Sequence, residues 1–228
     1  MGRLIAISNR TAADPSARAG GLAVAVWESL QKSGGIWLGW SGDVVQGKPR
    51  GVNVFRDDGV QFVLTDLSEE EMEGFYLHYA NSVLWPIFHY RIDLASFDSD
   101  SFAVYSAVNQ RIAEMTAERA LPGDTIWVHD YHLFPLGERL RRRGAKNRIG
   151  FFLHIPWPPR NLFVSLPYHE RLVRTVLEYD LIGFQDEESL ENFELYCQKE
   201  LGLEIGEDHC LDYEGRHVCL RAFPIGID

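Results

Sequence analysis

Short apolar runs alternate along the chain with amphipathic stretches of helical period. The apolar runs, rich in β-branched and aromatic side chains, predict strands at 3–8, 36–41, 125–129, 149–154, 181–185 and 218–225. Stretches in which apolar residues recur at helical spacing predict helices at 22–31, 102–119, 133–143, 172–178 and 187–201. Strands that alternate with helices predict an α/β fold of Rossmann-like type, with a mostly parallel sheet covered by helices on both faces.

Two local signals refine this pattern. Strands predicted at 52–55 and 60–64 are separated by Asp57-Asp58-Gly59, which is typical of a β-hairpin. Ser68 and Glu71 have the spacing of a capping box, so we expect a helix to start after Ser68.

Polar side chains follow three of the predicted strands. Arg10 follows the first strand, the run 129–132 (His-Asp-Tyr-His) follows the strand at 125–129, and His154 ends the strand at 149–154. In parallel sheets, ligands bind outside the carboxyl ends of the strands. The pair Gly20-Gly21, between a loop and a helix, allows backbone N–H groups to approach an anion, although such a pair is also a plain helix start.

Each candidate side chain has a structural and a functional interpretation. Arg10 could clamp a phosphate bidentately or form a surface salt bridge. Asp130 could accept hydrogen bonds from sugar hydroxyls, act as a base, or cap the helix predicted at 133. His154, ahead of a rigid proline run, is either a positioned side chain or a packed core histidine. The aromatic residues have the same ambiguity between sugar stacking and core packing, namely Trp37, Trp40, Tyr76 and Trp85.

Composition and charge narrow the function classes. The chain has 228 residues, 46% of them hydrophobic and 24% charged, which excludes a disordered tail, a collagen-like repeat and a coiled-coil rod. A formal net charge of −11 argues against a nucleic-acid partner. An anionic small substrate then needs a few placed arginines. The sequence shows no apolar run long enough for a membrane span, so we expect no membrane partner.

The three cysteines, Cys197, Cys210 and Cys219, are few and odd in number. A disulfide scaffold is therefore not expected, and a reducing cytoplasm fits better. The cysteines lie close to His209 and His217, but their spacings match no zinc motif, so we expect no metal site. P-loop, Gly-x-Gly-x-x-Gly and Gly-x-Ser-x-Gly motifs are absent from the sequence, which weakens the corresponding enzyme classes.

Taken together, these segments resemble the N-terminal half of the trehalose-6-phosphate synthase family. The segments that carry the resemblance are Ile7-Ser8-Asn9-Arg10, Gly20-Gly21-Leu22, 37–42, Tyr76, 81–91, 127–133, 149–156, 179–185 and 223–228. The resemblance implies a retaining glycosyltransferase of the two-Rossmann-domain (GT-B) type. Such an enzyme moves glucose from UDP-glucose to glucose 6-phosphate, giving trehalose 6-phosphate and UDP without a metal or other cofactor.

The resemblance implies an acceptor site in this chain. By analogy with the family, Arg10 and Tyr76 bind the acceptor phosphate. Trp40 and Trp85 shape the pocket, and Asp130 hydrogen-bonds the acceptor hydroxyls.

For the donor, the resemblance implies that His154 contacts the glucose and that the Gly20-Gly21 loop lies over the diphosphate. Residues 1–228 are then expected to form the acceptor-binding domain. The family's C-terminal nucleotide-sugar-binding domain lies outside this chain, and the isolated chain is expected to be inactive.

Two alternatives stay open at this point. One is a related pseudo-glycosyltransferase that couples a cyclitol to an amine. The other is a non-catalytic module that senses a sugar phosphate or pairs with a longer synthase. A homo-oligomer is compatible with each of them.

Overall fold

The computed structural model describes residues 2–14, 16, 21–49, 51–98 and 100–224. Within these residues, nine strands form one sheet in the order β3-β4-β2-β1-β5-β6-β7-β9-β8. The strands are β1 (Leu4–Arg10), β2 (Gly35–Val45), β3 (Asn53–Asp57), β4 (Val60–Ser68), β5 (Thr125–His129), β6 (Arg148–Phe152), β7 (Leu181–Phe184), β8 (Cys210–Tyr213) and β9 (Arg216–Ala222).

Helices connect most of these strands. They are α1 (Gly21–Ser33), α2 (Glu69–Glu71), α3 (Trp85–Phe88), α4 (Ser101–Ala117), α5 (Leu136–Arg142), α6 (Arg160–Phe163), α7 (His169–Val176) and α8 (Glu187–Glu200). Between α2 and α3 the chain continues as a π-helix over Met72–Leu84, and short 3-10 turns cover Ile92–Leu94 and Tyr131–Leu133. None of the described helices is long and apolar enough to cross a membrane.

The sheet is mostly parallel, as the sequence predicts. Parallel pairing runs from β4 through β2, β1, β5, β6 and β7 to β9, and antiparallel hairpins close the two edges. The hairpin predicted around Asp58-Gly59 is confirmed, and both residues have the positive φ that a tight hairpin turn requires. The strand predicted at 218–225 ends at Ala222, and residue 225 lies outside the described residues.

Both faces of the sheet are buried because alternate side chains of the strands point in opposite directions. Ile5 and Ile7 of β1 belong to the larger core, which lies under α4 and α5. Ala6 belongs to a smaller core on the other face, under α1. In that smaller core Trp37 stacks on Phe62, so this tryptophan is a packing residue.

The capping box predicted at Ser68 is confirmed. The Ser68 Oγ accepts a hydrogen bond from the Glu71 backbone N–H at 3.1 Å, and the Ser68 N–H donates to the Glu71 carboxylate at 3.0 Å. Arg111 of α4 donates to the same carboxylate at 2.7 Å. The start of the helical segment is thereby fixed against α4, and the π-helix that follows carries Tyr76.

The expectation about cysteines is wrong in one respect. Cys210 and Cys219 form a disulfide across the β8–β9 hairpin. The sequence analysis predicts no strand at β8, so it could not place the two residues opposite each other. The third cysteine, Cys197, is a buried free thiol in α8.

Candidate active site at the carboxyl edge

Three of the predicted site residues lie at or just after the carboxyl ends of adjacent strands, and a fourth lies beside them. Arg10 ends β1, Asp130 directly follows β5 and His154 follows β6, whereas Trp40 lies within β2. These strands are neighbours in the sheet. After an irregularity in β1, Arg10 is paired in register with Trp40. The predicted gathering of these side chains at one edge is therefore confirmed.

Arg10 is an exposed cation that no acid neutralises among the described residues. Its guanidinium carbon lies 5.8 Å from the centre of the Trp40 ring, a cation–π arrangement. The group also lies against Gly42, where an added Cβ would be 2.7 Å from the Arg10 Nη2. Gly42 has a φ of 101°, which side-chain-bearing residues rarely adopt. The absence of a side chain at Gly42 thus leaves room for the guanidinium, which remains available to an anion.

A continuous set of rings connects the Arg10 end of the site to the Asp130 end. Trp40 lies 5.6 Å from Tyr76, and Tyr76 stacks on His132 with ring centres 5.7 Å apart. His132 in turn lies 4.0 Å from Tyr131, whose hydroxyl donates to the Asn81 side-chain oxygen at 3.0 Å. This set forms one wall of the site, built from β2, the π-helix and the turn after β5.

Two side chains of helix α4 hold the turn Tyr131–Leu133 in place. Tyr105 donates to the backbone carbonyl of Tyr131 at 2.7 Å, and Asn109 donates to that of His132 at 3.0 Å. His132 itself is buried, and neither ring nitrogen has a hydrogen-bond partner among the described residues. Burial lowers the pKa of His132 to about 3, so the ring is neutral.

Asp130 has a strained backbone, with φ 75° and ψ 163°. This region is nearly restricted to glycine and costs on the order of 1–3 kcal/mol. Its Oδ1 accepts hydrogen bonds from the backbone N–H groups of Tyr131 at 3.1 Å and His154 at 3.3 Å. Burial raises the pKa of Asp130 to about 6, although these two bonds oppose the shift. Asp130 thus combines a strained backbone with a carboxylate whose ionised form is destabilised by burial. This combination indicates a function beyond packing.

The capping interpretation of Asp130 is partly right. Its Oδ1 caps the 3-10 turn Tyr131–Leu133, whereas α5 begins only at Leu136. Among the described residues Oδ2 accepts no hydrogen bond. One oxygen therefore holds the loops after β5 and β6 together, and the other remains available to a ligand.

His154 is partly exposed rather than packed in the core. Its Nε2 lies 3.1 Å from the Nδ1 of the buried His129. Burial lowers the pKa of His154 to about 4, and burial, with the neighbouring His154, also lowers that of His129. Both imidazoles are consequently neutral near pH 7. His154 also lines a cavity of about 460 Å³ between α1 and the sheet, together with Trp127, Phe152 and Phe223.

The structure does not bring every predicted residue into this cluster. Trp85 is 40% exposed, and its recorded ring contact within the described part of the chain is with His89, at 4.0 Å. Gly20 lies outside the described residues. Gly21 is the first residue of α1, the helix that covers the cavity lined by His154.

Three residues of the site are missing from the sequence prediction. His132 lies in the polar run 129–132, which the sequence analysis noticed without assigning a role to this residue. Asn81 and Gly42 lie in segments that carry the resemblance, but neither was given a role, because their contacts with Tyr131 and Arg10 are created only by the fold.

The fold and this edge together define a Rossmann-like α/β domain with a candidate ligand site at the carboxyl edge of β1, β5 and β6. A family model described as glycosyltransferase family 20 matches residues 6–228. The chain therefore belongs to glycosyltransferase family 20, and the resemblance drawn from its sequence is confirmed.

Relatives and solved structures agree with this assignment. The chain is 42% identical over 234 residues to a trehalose-6-phosphate synthase of Sinorhizobium fredii, covering 100% of this chain and 50% of that protein. It superposes with a TM-score of 0.95 on an α,α-trehalose-phosphate synthase (UDP-forming) from Burkholderia vietnamiensis, at 42% identity over 100% of this chain and 49% of that one. A synthase from Burkholderia xenovorans in complex with glucose 6-phosphate gives 0.92 at 41% identity, over 99% of this chain and 50% of that one. The chain spans about half the length of the proteins it matches.

Proposed function

We propose that the protein transfers glucose from UDP-glucose to glucose 6-phosphate, giving α,α-trehalose 6-phosphate and UDP with retention of configuration. In this proposal residues 1–228 form the acceptor-binding domain of a GT-B glycosyltransferase. One observation carries the proposal: Arg10 and Asp130 lie at opposite ends of one wall of aromatic rings. Arg10 has no acid partner among the described residues. The relatives that match the chain are named as synthases of this kind, and one of them was solved with glucose 6-phosphate.

The acceptor phosphate binds at the Arg10 end. A guanidinium makes two parallel hydrogen bonds to phosphate oxygens, and the neighbouring Tyr76 hydroxyl adds a third donor. Trp40 and Trp85 shape the pocket, Trp40 from beside the guanidinium and the exposed Trp85 from the start of α3. Because the chain carries a net charge of −11, a dianion needs such a local cation to bind.

The sugar hydroxyls bind at the Asp130 end. The free Oδ2 accepts hydrogen bonds from one or two hydroxyls of the acceptor. Each hydrogen bond to a charged group contributes about 1.5–3 kcal/mol to binding. The strained backbone fixes the direction of this carboxylate, since the loops after β5 and β6 are tied together through Oδ1. Asp130 thereby orients the acceptor toward the donor.

The donor lies on the His154 side of the site. The neutral His154 imidazole hydrogen-bonds a hydroxyl of the donor glucose, and the pair Gly20-Gly21, of which Gly21 begins α1, binds the diphosphate through backbone N–H groups. The leaving phosphate oxygen accepts the proton of the incoming hydroxyl on the same face of the sugar. Catalysis then rests on positioning and on stabilisation of the diphosphate charge.

Product analysis tests this function. The native-length protein is incubated with isotope-labelled UDP-glucose and either glucose 6-phosphate or an aminocyclitol phosphate. We expect UDP release and labelled α,α-trehalose 6-phosphate with the sugar phosphate. Transfer to the amine alone would favour the pseudo-glycosyltransferase alternative, and glucose 6-phosphate binding without any transfer would favour a sensing module.

Two further parts of the proposal concern the cellular context. We infer a cytoplasmic location, where glucose 6-phosphate and UDP-glucose would both be available, and a homo-oligomer is compatible with the proposal. Cell fractionation and light scattering of the native protein test these points independently of the activity.

A further inference from the structure

The outermost hairpin of the sheet carries four metal-ligand side chains on one face. In the antiparallel register of β8 and β9, Cys210 lies opposite Cys219 and Asp212 lies opposite His217. Opposed residues project from the same face of a sheet, and so do residues two apart on one strand. The four side chains therefore lie together on one face of the hairpin. The hairpin is at the end of the strand order, whereas the cluster of Arg10 and Asp130 follows the central strands β1 and β5.

Both pairs occupy the closely spaced positions of the antiparallel ladder. The backbone groups of Cys210 bond to Gly206 and Asp208, and the Cys219 N–H donates to Asp180, so the two cysteines do not bond each other. Their Cα atoms are 4.2 Å apart. Side chains at such non-hydrogen-bonded pairs approach each other most closely.

The donor atoms of this hairpin are near enough to share one ion. One potential ligand atom each from Cys210, His217 and Cys219 lies within 4.8 Å of the other two. Within the described part of the chain, these residues form a cluster that could hold a metal ion. The Nδ1 of His217 also lies 3.2 Å from the Asp212 carboxylate. A histidine held by a carboxylate through one nitrogen is the usual arrangement for binding a metal through the other.

We propose that the dithiol form of the β8–β9 hairpin binds Zn²⁺ through the two cysteine sulfurs and His217, with Asp212 orienting the imidazole. Thiolate and imidazole are the preferred ligands of Zn²⁺. The spacing Cys-x₆-His-x-Cys matches no familiar zinc motif, because here the hairpin register brings the ligands together rather than a knuckle or a helix. A water molecule completes the four-coordinate site.

The disulfide in the structure is the metal-free state of the same residues. A dithiol reductant converts it by thiol–disulfide exchange, giving up two electrons and two protons and becoming a disulfide itself. Zn²⁺ then displaces the two thiol protons. In the reverse direction hydrogen peroxide accepts two electrons from the two thiolates, takes up two protons to give two waters, and the ion leaves.

A cation lies beside the first ligand, since the Arg221 Nη2 is 3.7 Å from the Cys210 sulfur. Only His217 and Asp212 of the four are exposed, so an ion reaches the sulfurs from the side of the imidazole.

Metal titration of the 228-residue chain tests the site. After reduction by a phosphine and removal of metal, the chain is titrated with Zn²⁺ against a chromogenic chelator, and with Co²⁺ to observe the absorption of a tetrahedral thiolate site. We expect one ion per reduced chain and none per oxidised chain. Less than stoichiometric uptake by the reduced chain would overturn the proposal.

Matched variants separate this site from adventitious binding. His217→Ala and Cys219→Ser should weaken Zn²⁺ binding by at least a hundredfold, and Asp212→Asn by about tenfold, the lower end of the range for outer partners. His209→Ala, at an exposed histidine paired with Glu194, and Cys197→Ser should leave the affinity unchanged. Circular dichroism verifies that each variant is folded. Zn²⁺ binding that survives His217→Ala, or that is lost equally in His209→Ala, would contradict the assignment.

Discussion

The two edges of the parallel sheet use the same residue types in opposite ways. At the amino-terminal edge two arginines meet acids. Arg3 before β1 pairs with Asp124 before β5 at 2.7 Å, and Arg141 pairs with Asp180 before β7 at 2.8 Å. Asp180 also accepts the backbone N–H of Ile149. These groups neutralise one another and close the edge.

At the carboxyl edge the polar groups lack such partners. Among the described residues, Arg10 lies over a tryptophan ring rather than against a carboxylate, and the largely buried Asp130 has no cation beside it. The Nε2 of the buried His129 and both ring nitrogens of His132 have no partner among the described residues. Unsatisfied buried polar groups cost stability, and a ligand at this edge would offset that cost. The contrast therefore separates structural charges from site charges within one sheet.

Substitution at the closed edge should affect stability alone. Asp124 is 3% exposed and accepts hydrogen bonds from Arg3 and from the backbone N–H of Leu121. Asp124→Ala should cost about 3 kcal/mol and lower the melting temperature by roughly 6–12 °C. Measured well below the melting point, kcat/KM of the native-length protein should stay within about twofold. A large loss of activity in the folded variant would break the contrast between the edges.

Substitution at the open edge should have the reverse effect. In Asp130→Gly the two hydrogen bonds to Oδ1 are lost, but glycine adopts the backbone conformation of Asp130 without strain. The melting temperature should therefore change little. Under the proposed function, activity should fall about a hundredfold, because the carboxylate proposed to orient the acceptor is gone. Unchanged kcat/KM together with a large loss of stability would make Asp130 a structural residue.

The raised pKa of Asp130 predicts a pH-dependent stability difference. Its pKa is about 6 in the folded chain against 3.8 ordinarily, so its stabilising contribution is full below about pH 4 and is lost as the pH rises through 6. Between pH 4 and 7, the free energy of unfolding of the wild type should fall by about 2 kcal/mol relative to that of Asp130→Asn. This figure is discounted because Asp130 is partly exposed.

The depressed pKa of His154 acts in the other direction. Its contribution is present above pH 6.5 and is lost as the pH falls toward 4. The wild type and Asp130→Asn both contain His154, so its contribution cancels when their free energies of unfolding are compared. The measurement is chemical denaturation of both proteins between pH 4 and 7. A difference that does not vary with pH would contradict the buried, uncompensated carboxylate.

Gly42 offers the smallest and most local test. In Gly42→Ala the new methyl group would meet the Arg10 guanidinium, so the guanidinium must move. We expect KM for glucose 6-phosphate to rise about tenfold with little change in kcat, since phosphate binding is disturbed but not removed. Gly47→Ala is the control, because Gly47 also has positive φ but an added Cβ there meets nothing within 4 Å. Equal effects in both variants would assign the loss to backbone strain.

The sequence predicts most of the sheet because buried parallel strands are short apolar runs. The strand at 125–129 is predicted with the bounds of β5, and the residues that end β1, β5 and β6 follow from those runs. A side chain at the carboxyl end of such a strand reaches the ligand edge whatever the details of packing. For this reason Arg10, Asp130 and His154 could be proposed before the structure.

Contacts between distant elements were not predictable. The stacking of His132 on Tyr76 depends on the π-helix Met72–Leu84, which has no sequence pattern of its own. The cross-strand pairing of Cys210 and Cys219 depends on the register of a hairpin whose first strand was not predicted. The role that the resemblance implies for Trp85 stays a prediction, because its one recorded ring contact among the described residues is with His89.

The most direct test of the central claim, that Arg10 holds the acceptor phosphate, is the acceptor selectivity of the native-length protein. kcat/KM is measured for glucose 6-phosphate and for glucose in the wild type, Arg10→Ala and Arg10→Lys, with Arg56→Ala on the outermost strand β3 as the control arginine. We predict that Arg10→Ala loses roughly one to two orders of magnitude with glucose 6-phosphate and much less with glucose. Lysine should restore only part, since an ammonium lacks the planar fork. An equal loss with both acceptors would make Arg10 structural and contradict the account.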